Sequence, residues 1–440
     1  MTRVLENKTA ALMTLGCKLN QYESMSIRES LEAAGIRIVA PEAGADLYVI
    51  NTCTVTGKTD RRSRNAVRRV LKWNPDARIV VTGCSSQRQP EIFQTLPNVF
   101  LVTGNREKLQ IRDLIEKCMF DIHSSAVVGD IQSAEFEGLS ISTFGKYSRA
   151  FLKIQEGCSR SCSYCVIPSV RGPSRSQISE KVIEEATRIT ANGFKEIVLT
   201  GIDLGTYGLD LDPPENIVQL ISKLLQIPTL ARVRLSSIEP TELMSDLIDL
   251  IISEPRICRH LHVPLQSGSP FILERMHRSY SADFYRRLLV DIKTRNPFIC
   301  FGADVIVGFP GESDSHFEET YEFIKSLPFS YLHVFTFSPR AGTRAARFDD
   351  QINVGVAKER CHRLRALSVQ KAIEFRKQFI GSNLDVIILN TQDPTTGKTI
   401  GLSDNYLKIQ LDDSSHPPGS LATVSVTGVV GLSMEGRIAD

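Results

Sequence analysis

Residues 155–176 read QEGCSRSCSYCVIPSVRGPSRS. Cys158, Cys162 and Cys165 are separated by three and then two residues, just after the largely apolar run Phe151–Ile154. Three thiolates on so short a loop suit a cubane iron–sulfur cluster, which is held by cysteine sulfur and normally takes four ligands. No fourth ligand is local, so one iron is left open to a small molecule. A disulfide reading fails because three is odd and the chain lacks secretory features. Structural zinc is the alternative, although zinc knuckles favour paired two-residue gaps and a complete ligand set.

The 440 residues around this loop suggest two to three domains. A hydrophobic content of 42% and a charged content of 23% describe an ordinary globular chain with ample core. The formal net charge of +2 means that any nucleic-acid surface is a local patch. No apolar run approaches the roughly 18 residues of a membrane span. The first residues, MTRVLENKTAALMTLGC, lack a signal-peptide core, and with ten cysteines this points to the reducing cytoplasm.

Residues 1–140 alternate strand-like runs with helical patterns, as a doubly wound parallel sheet does. Expected strands are Ala10–Leu15, Asp46–Ile50, Arg78–Thr82 and Val99–Val102. The first three lead into MTLGC, YVINTC and VVTGC, placing Cys17, Cys53 and Cys84 just past their ends. Parallel strands deliver those ends to one ligand-binding edge, so the three thiols converge into a second cluster site with an open iron. The alternative is three separately buried small residues. In KTDRRSRNAVRRVLK, Arg61, Arg64, Arg68 and Lys72 recur at helical spacing, either against a phosphate backbone or as a solvated face.

Residues 144–375 hold six strand-plus-helix units, which points to a partial (β/α)6 barrel of the TIM type, with active groups at the strand ends. Those ends carry TGIDLGTYG, SSIEP, PLQSGS and GFPGES. Gly201, Gly268 and Gly308 would let backbone approach a ligand, and Asp203, Ser236, Ser237, Glu239 and Gln266 would orient it. The plainer reading is that such residues only terminate strands. Cys118, Cys258, Cys300 and Cys361 read as core, and His260 and His262 as packing or local hydrogen bonding.

A basic amphipathic helix follows, from which Arg363 and Lys371 are candidate RNA contacts. Residues 376–440 then switch to five short β runs, an OB-like barrel. That segment has five Lys or Arg against seven Asp or Glu, so its charge does not support RNA binding.

The whole pattern resembles the methylthiotransferases of the radical S-adenosylmethionine (SAM) superfamily. Cys158, Cys162 and Cys165 match the family's first-cluster motif; Cys17, Cys53 and Cys84 match its auxiliary-cluster cysteines. HLHVPLQSGS and GADVIVGFPGES are similar to two of its barrel blocks. The resemblance implies an N-terminal methylthiotransferase domain, a radical SAM barrel and a TRAM domain, two [4Fe–4S] clusters and SAM. MTLGCKLNQYES and GLSDNYLKIQL are similar to the subgroup acting on N6-threonylcarbamoyladenosine (t6A) at tRNA position 37. Subgroups acting on isopentenyladenosine or a ribosomal protein typically show GCQMN or GCPKN instead. The chemistry implied is a 5′-deoxyadenosyl radical acting at adenine C2, with an electron donor such as flavodoxin or ferredoxin, and a sulfur source. Competing readings are methylthiolation of isopentenyladenosine or a protein side chain, and a non-catalytic iron–sulfur RNA-binding module.

Overall fold

LYVINT, residues Leu47–Thr52, is buried at every position, as befits a central strand covered on both faces. It is β3 of a six-stranded parallel sheet with β1 (Thr9–Thr14), β2 (Arg37–Ile38), β4 (Arg78–Gly83), β5 (Val99–Thr103) and β6 (Ser125–Val127), ordered 2-1-3-4-5-6. The four expected strands are all present. The two extra ones are edge strands of two and three residues, too short to announce themselves by pattern. Helices α1 (Lys18–Ala33), α2 (Gly57–Trp73) and the short α3 (Cys84–Arg88) each start beyond the end of β1, β3 or β4. The computed structural model describes residues 8–439 except 120–123, 137, 139–140, 142–144, 146 and 413–414, so the expected boundary at 140–144 lies outside the described residues.

The second unit contains β7 (Ala150–Lys153), a small ribbon of β8 (Gln155–Glu156) and β9 (Arg175–Ser176), then β10 (Glu196–Thr200), β11 (Arg232–Leu235), β12 (His260–His262), β13 (Cys300–Val307) and β14 (Tyr331–Thr336). Strands β11-β10-β7 and β12-β13-β14 form two parallel sheets. Isolated bridges Val233↔Ile257 and Ser237↔His262 join them into one open six-stranded wall. This is the partial barrel expected. Its main apolar cluster also takes in Tyr22 and Met25 of α1, so the first domain is wedged into the second.

The long helix Val354–Lys377 packs on β14 and leads to a closed five-stranded barrel. Its strands are β15 (Asn383–Gln392), β16 (Thr399–Ser403), β17 (Lys408–Leu411), β18 (Leu421–Val430) and β19 (Ser433–Ile438), ordered 15-16-17-19-18. Phe375 and Phe379 plug its base beside Cys300. Arg232 and Arg234 share the buried carboxylate of Glu196 and donate onward to the carbonyls of Leu402, Ser403 and Asp404, fixing the small barrel to the large one. The four cysteines assigned to the core are buried.

At the α1 contact, the Tyr22 hydroxyl donates to Glu185 at 3.0 Å. Burial pushes the Glu185 carboxyl up to about 7, against the lowering effect of that hydrogen bond and of Arg188. The unfolded chain therefore ionises first as pH rises, and stability falls between about pH 5 and pH 7. Glu185→Gln keeps an acceptor without the charge. Urea midpoints should show it more stable than the parent at pH 8 and level with it at pH 5; a difference independent of pH would contradict the assignment.

Candidate functional site

The cysteine loop leaves the barrel at Gly157, whose φ of +72° and place against the Pro173 carbonyl admit no side chain: a Cβ would sit 1.9 Å from that oxygen. The Cys158 amide donates to the Gly172 carbonyl and the Cys165 amide to the Cys162 carbonyl. Ser163 is pinned to the backbone of Arg275, Met276 and Ala345. Guanidinium and carboxylate groups surround the sulfurs. Arg278 donates to Cys162 Sγ at 3.1 Å and pairs with Glu239. The Cys158 thiol faces Asp203 Oδ2 at 3.5 Å, and Arg160 holds that same oxygen at 2.9 Å. Asp203 Oδ1 is buried and has no partner among the described residues. A cleft of about 320 Å³ opens between Ser159–Cys162 and His277–Ser279.

The other three cysteines converge as their strand ends predict. Gly16 lies against Cys53, at 2.7 Å from the latter's Cβ to where a Cβ of its own would be. That contact brings the Cys17 loop onto Cys53. Cys84 accepts from Arg171 Nε at 3.2 Å and from Asn105 at 3.7 Å. Burial pushes the Cys53 and Cys158 thiols up to about 12 and Cys165 to about 11, and Cys84 adds to the rise at Cys53. Desolvated thiols of this kind become thiolates when a cation binds them. Sulfurs around one zinc sit roughly 3.8 Å apart, whereas among the described residues only His262, Asp304 and His333 bring three ligand atoms within 4.8 Å of one another. Neither cysteine triplet brings its three sulfurs that close, and three cysteine thiols are the donor type an iron–sulfur cubane takes.

A chamber of about 1380 Å³ lies between the ligand edge of the sheet and the mouth of the barrel. Its walls include Cys17, Cys53, Gly201, Ser236, Ser237 and Tyr406, so all three domains contribute. His260 and His262 both hydrogen-bond to the Tyr331 hydroxyl, at 2.8 and 3.2 Å, in keeping with the local bonding expected. His262 and His333 each lie 3.3 Å from Asp304. Of the expected ligand contacts, Gly201, Ser236 and Ser237 face this chamber, while Asp203 and Glu239 belong to the cysteine loop. Gln266 and Gly308 serve the frame. Gln266 exchanges backbone hydrogen bonds with Asp304 and Ile306, and the bare Cα of Gly308 admits Ala357 of the long helix. Gly268 likewise admits Phe323 and Thr320.

Residues 9–104 match the model of "Uncharacterized protein family UPF0004", and residues 152–324 that of the "Radical SAM superfamily". The chain is 40% identical to the threonylcarbamoyladenosine tRNA methylthiotransferase MtaB of Bacillus subtilis, covering 95% of this chain and 93% of that protein. It is 37% identical to the MtaB of Aquifex aeolicus over 91% of this chain and 96% of that one. It belongs to the radical SAM methylthiotransferases.

A more distant relative, at 30% identity over 99% of the chain and all of its own length, is the tRNA-2-methylthio-N(6)-dimethylallyladenosine synthase of Moorella thermoacetica. Among solved structures, the radical SAM methyltransferase TsrM of Kitasatospora setae shares the fold with a TM-score of 0.55 at 14% identity, over 77% of this chain and 74% of that one. A methylthiotransferase is an enzyme that transfers a sulfur-containing group, and [4Fe–4S] and SAM are the cofactors of this family.

The basic face of α2 is free. Arg61 and Arg68 are exposed, and none of Arg61, Arg64 and Lys72 has an ion-pair partner among the described residues. Arg61 also lines the chamber. The long helix is different. Lys371 is buried and spends its ammonium on the carbonyls of Lys325 and Leu327, at 2.9 and 2.7 Å, so the expectation of an RNA contact there is overturned. Arg363 is paired with Glu318 at 2.6 Å.

Sequence reasoning missed the arginines of this methylthiotransferase. Arg171 is fully buried and reaches Cys84, Asn20 at 2.6 Å, Glu156 at 2.7 Å and Glu23. Its only signal is its place in the cysteine loop, ahead of Gly172. Removing one partner of a buried ion pair costs about 3–5 kcal/mol, so Arg171→Met should lower the urea midpoint by a corresponding amount. Arg171→Lys should recover only part, because one ammonium cannot span four partners. A midpoint unmoved by either would show that the two domains are held by other contacts.

Proposed function

We propose that this enzyme converts t6A at position 37 of tRNA to its 2-methylthio derivative. The observation that carries the reading is that Cys17 and Cys53 line a chamber that also takes in Gly201, Ser236 and Ser237 at the barrel mouth and the basic first turn of α2. The substrate comes from the relatives named for it, at 35–40% identity across most of the chain. Cys158, Cys162 and Cys165 would hold the cluster that binds SAM, and Cys17, Cys53 and Cys84 the auxiliary cluster. When bound, the first cluster with SAM supplies the one electron that cleaves the sulfonium to a 5′-deoxyadenosyl radical.

The chain's own residues do the rest. Asp203 Oδ1, buried and without a partner among the described residues, is the acceptor for the SAM ammonium; the bare Cα of Gly201 admits Gln155, whose Oε1 holds the Asp203 amide, and Ser236, Ser237 and Glu239 would line the remaining edge. Arg278 pairs with Glu239 and Arg160 with Asp203, which fixes both carboxylates in place. Arg61, Arg64, Arg68 and Lys72 hold the phosphate backbone at the rim. A flavodoxin or ferredoxin would deliver the electron at the outer side of the cysteine loop, and a sulfur source would feed the auxiliary site.

Nucleosides from tRNA of cells lacking this protein should lose 2-methylthio-t6A, by mass spectrometry, while purified anaerobic protein carries about eight irons in two cubanes. Loss of the isopentenyl derivative instead would move the substrate to the other subgroup. Replacing Arg61, Arg64 or Arg68 by Gln should each reduce the slope of log affinity against log salt by about 1; an unchanged slope would remove α2 from the RNA interface.

A further inference from the structure

Lys18 is the first residue of α1, beside Cys17, and its side chain lines the chamber. It has no hydrogen bond or ion pair among the described residues. The carboxylate whose charge acts on it most, Glu196, is already taken by Arg149 at 3.1 Å, Arg232 at 2.6 Å and Arg234 at 2.9 Å. Three guanidiniums on one carboxylate leave this wall with surplus positive charge, and Lys18 adds to it. Half-burying a cation without a partner is costly. The neighbourhood holds two further unmet polar atoms. His260 is 3% exposed, and among the described residues neither its Nδ1 nor the buried Oγ of Ser236 has a hydrogen-bond partner. Both residues line the same chamber as Lys18, and burial together with nearby cations holds the His260 imidazole well below its usual pKa. An unpaired cation with two orphaned hydrogen-bonding atoms is a site for a small polar anion.

The proposed substrate brings one. Its N6 substituent is a urea carrying threonine, with a free carboxylate and a hydroxyl. The urea N–H can close onto adenine N1, which folds the threonyl group toward C2, the carbon that must face the Cys17–Cys53 wall. We propose that Lys18 is the specificity-determining residue of the chamber, its ammonium pairing with the threonyl carboxylate while His260 and Ser236 take the remaining polar atoms. An isopentenyl group has nothing to offer this site, and leaving Lys18 buried and unpaired against it would disfavour that substrate.

This inference rests on the t6A reading, and the test separates the two. Reconstituted protein is titrated with an anticodon stem-loop RNA carrying t6A and with the same RNA carrying the t6A methyl ester. The parent should bind the acid roughly 10–100-fold more tightly than the ester, the span of one charge-assisted hydrogen bond. Lys18→Gln should bring that ratio close to one by weakening the acid alone, and Lys18→Arg should restore most of it. Equal affinity of the parent for acid and ester overturns the proposal without any variant. A Lys18→Gln protein that still prefers the acid as the parent does also overturns it, and would assign the lysine to neutralising the neighbouring thiolates. If Lys18→Gln fails to hold iron, the ratio is read on Lys18→Arg, where a loss to near one overturns the proposal. If the parent methylthiolates isopentenyladenosine RNA and not t6A RNA, the reading of the function fails, whatever Lys18 does.

Discussion

The guanidinium of Arg171 is where the two halves of this enzyme meet. It leaves the end of the cysteine loop's short helix and is wholly enclosed. On one side it bonds Glu156 of the barrel; on the other it bonds Glu23 and Asn20 of α1 and the sulfur of Cys84. Lys108 completes the charge balance on Glu23, and Lys153 does so on Glu156 at 2.9 Å. Such a network stabilises little over a well-packed apolar contact, but it tolerates one geometry only. Geometry is what this architecture needs. Two cysteine triplets on separate domains are useful only if their separation is fixed, and Arg171 touches both the loop that carries one and a sulfur of the other.

A second set of arginines does the same work at the other face. Arg340 crosses from the barrel to Thr54 at 2.7 Å and to Asp60 of α2, anchoring the end of β3 close to Cys53. Arg232, Arg234 and Arg259 fasten the C-terminal barrel through Asp404 and neighbouring carbonyls, which carries Tyr406 into the chamber, stacked 4.3 Å from His260. Arginine suits these seams because its fixed fork satisfies several acceptors at once. Each inter-domain joint is thus a directional polar contact set inside apolar packing.

The elements of the fold were legible because each carried its own period. Buried strands such as LYVINT and VVTG read as apolar runs, and the five β runs of the last barrel alternate with turns. The cysteines were legible because spacing and strand-end position are properties of the sequence itself. What could not be read is whatever depends on two distant segments meeting. Arg171 and Arg278 look like ordinary charged residues until their partners, up to 151 positions away, are brought beside them. Gly308 and Lys371 erred in the opposite direction. Each had the residue type of a ligand contact, and the long helix claimed both, one for close packing and one for two carbonyls.

That last exchange settles how a nearly neutral chain presents a basic surface. Of its 52 basic residues, those on the long helix are largely consumed internally: Arg360 by Glu312 and Asp314, Arg363 by Glu318, Lys371 by carbonyls. The C-terminal barrel carries more acid than base. Helix α2 is left, with its apolar side locked under β3 and β4 and its arginines unpaired toward solvent. Because its first turn also forms part of the chamber's rim, the charge that would attract a polyanion and the opening that would admit one of its bases are the same few residues, Lys58, Arg61 and Arg62. A small overall charge is then compatible with a basic patch, because the exposed arginines are concentrated on one helix face.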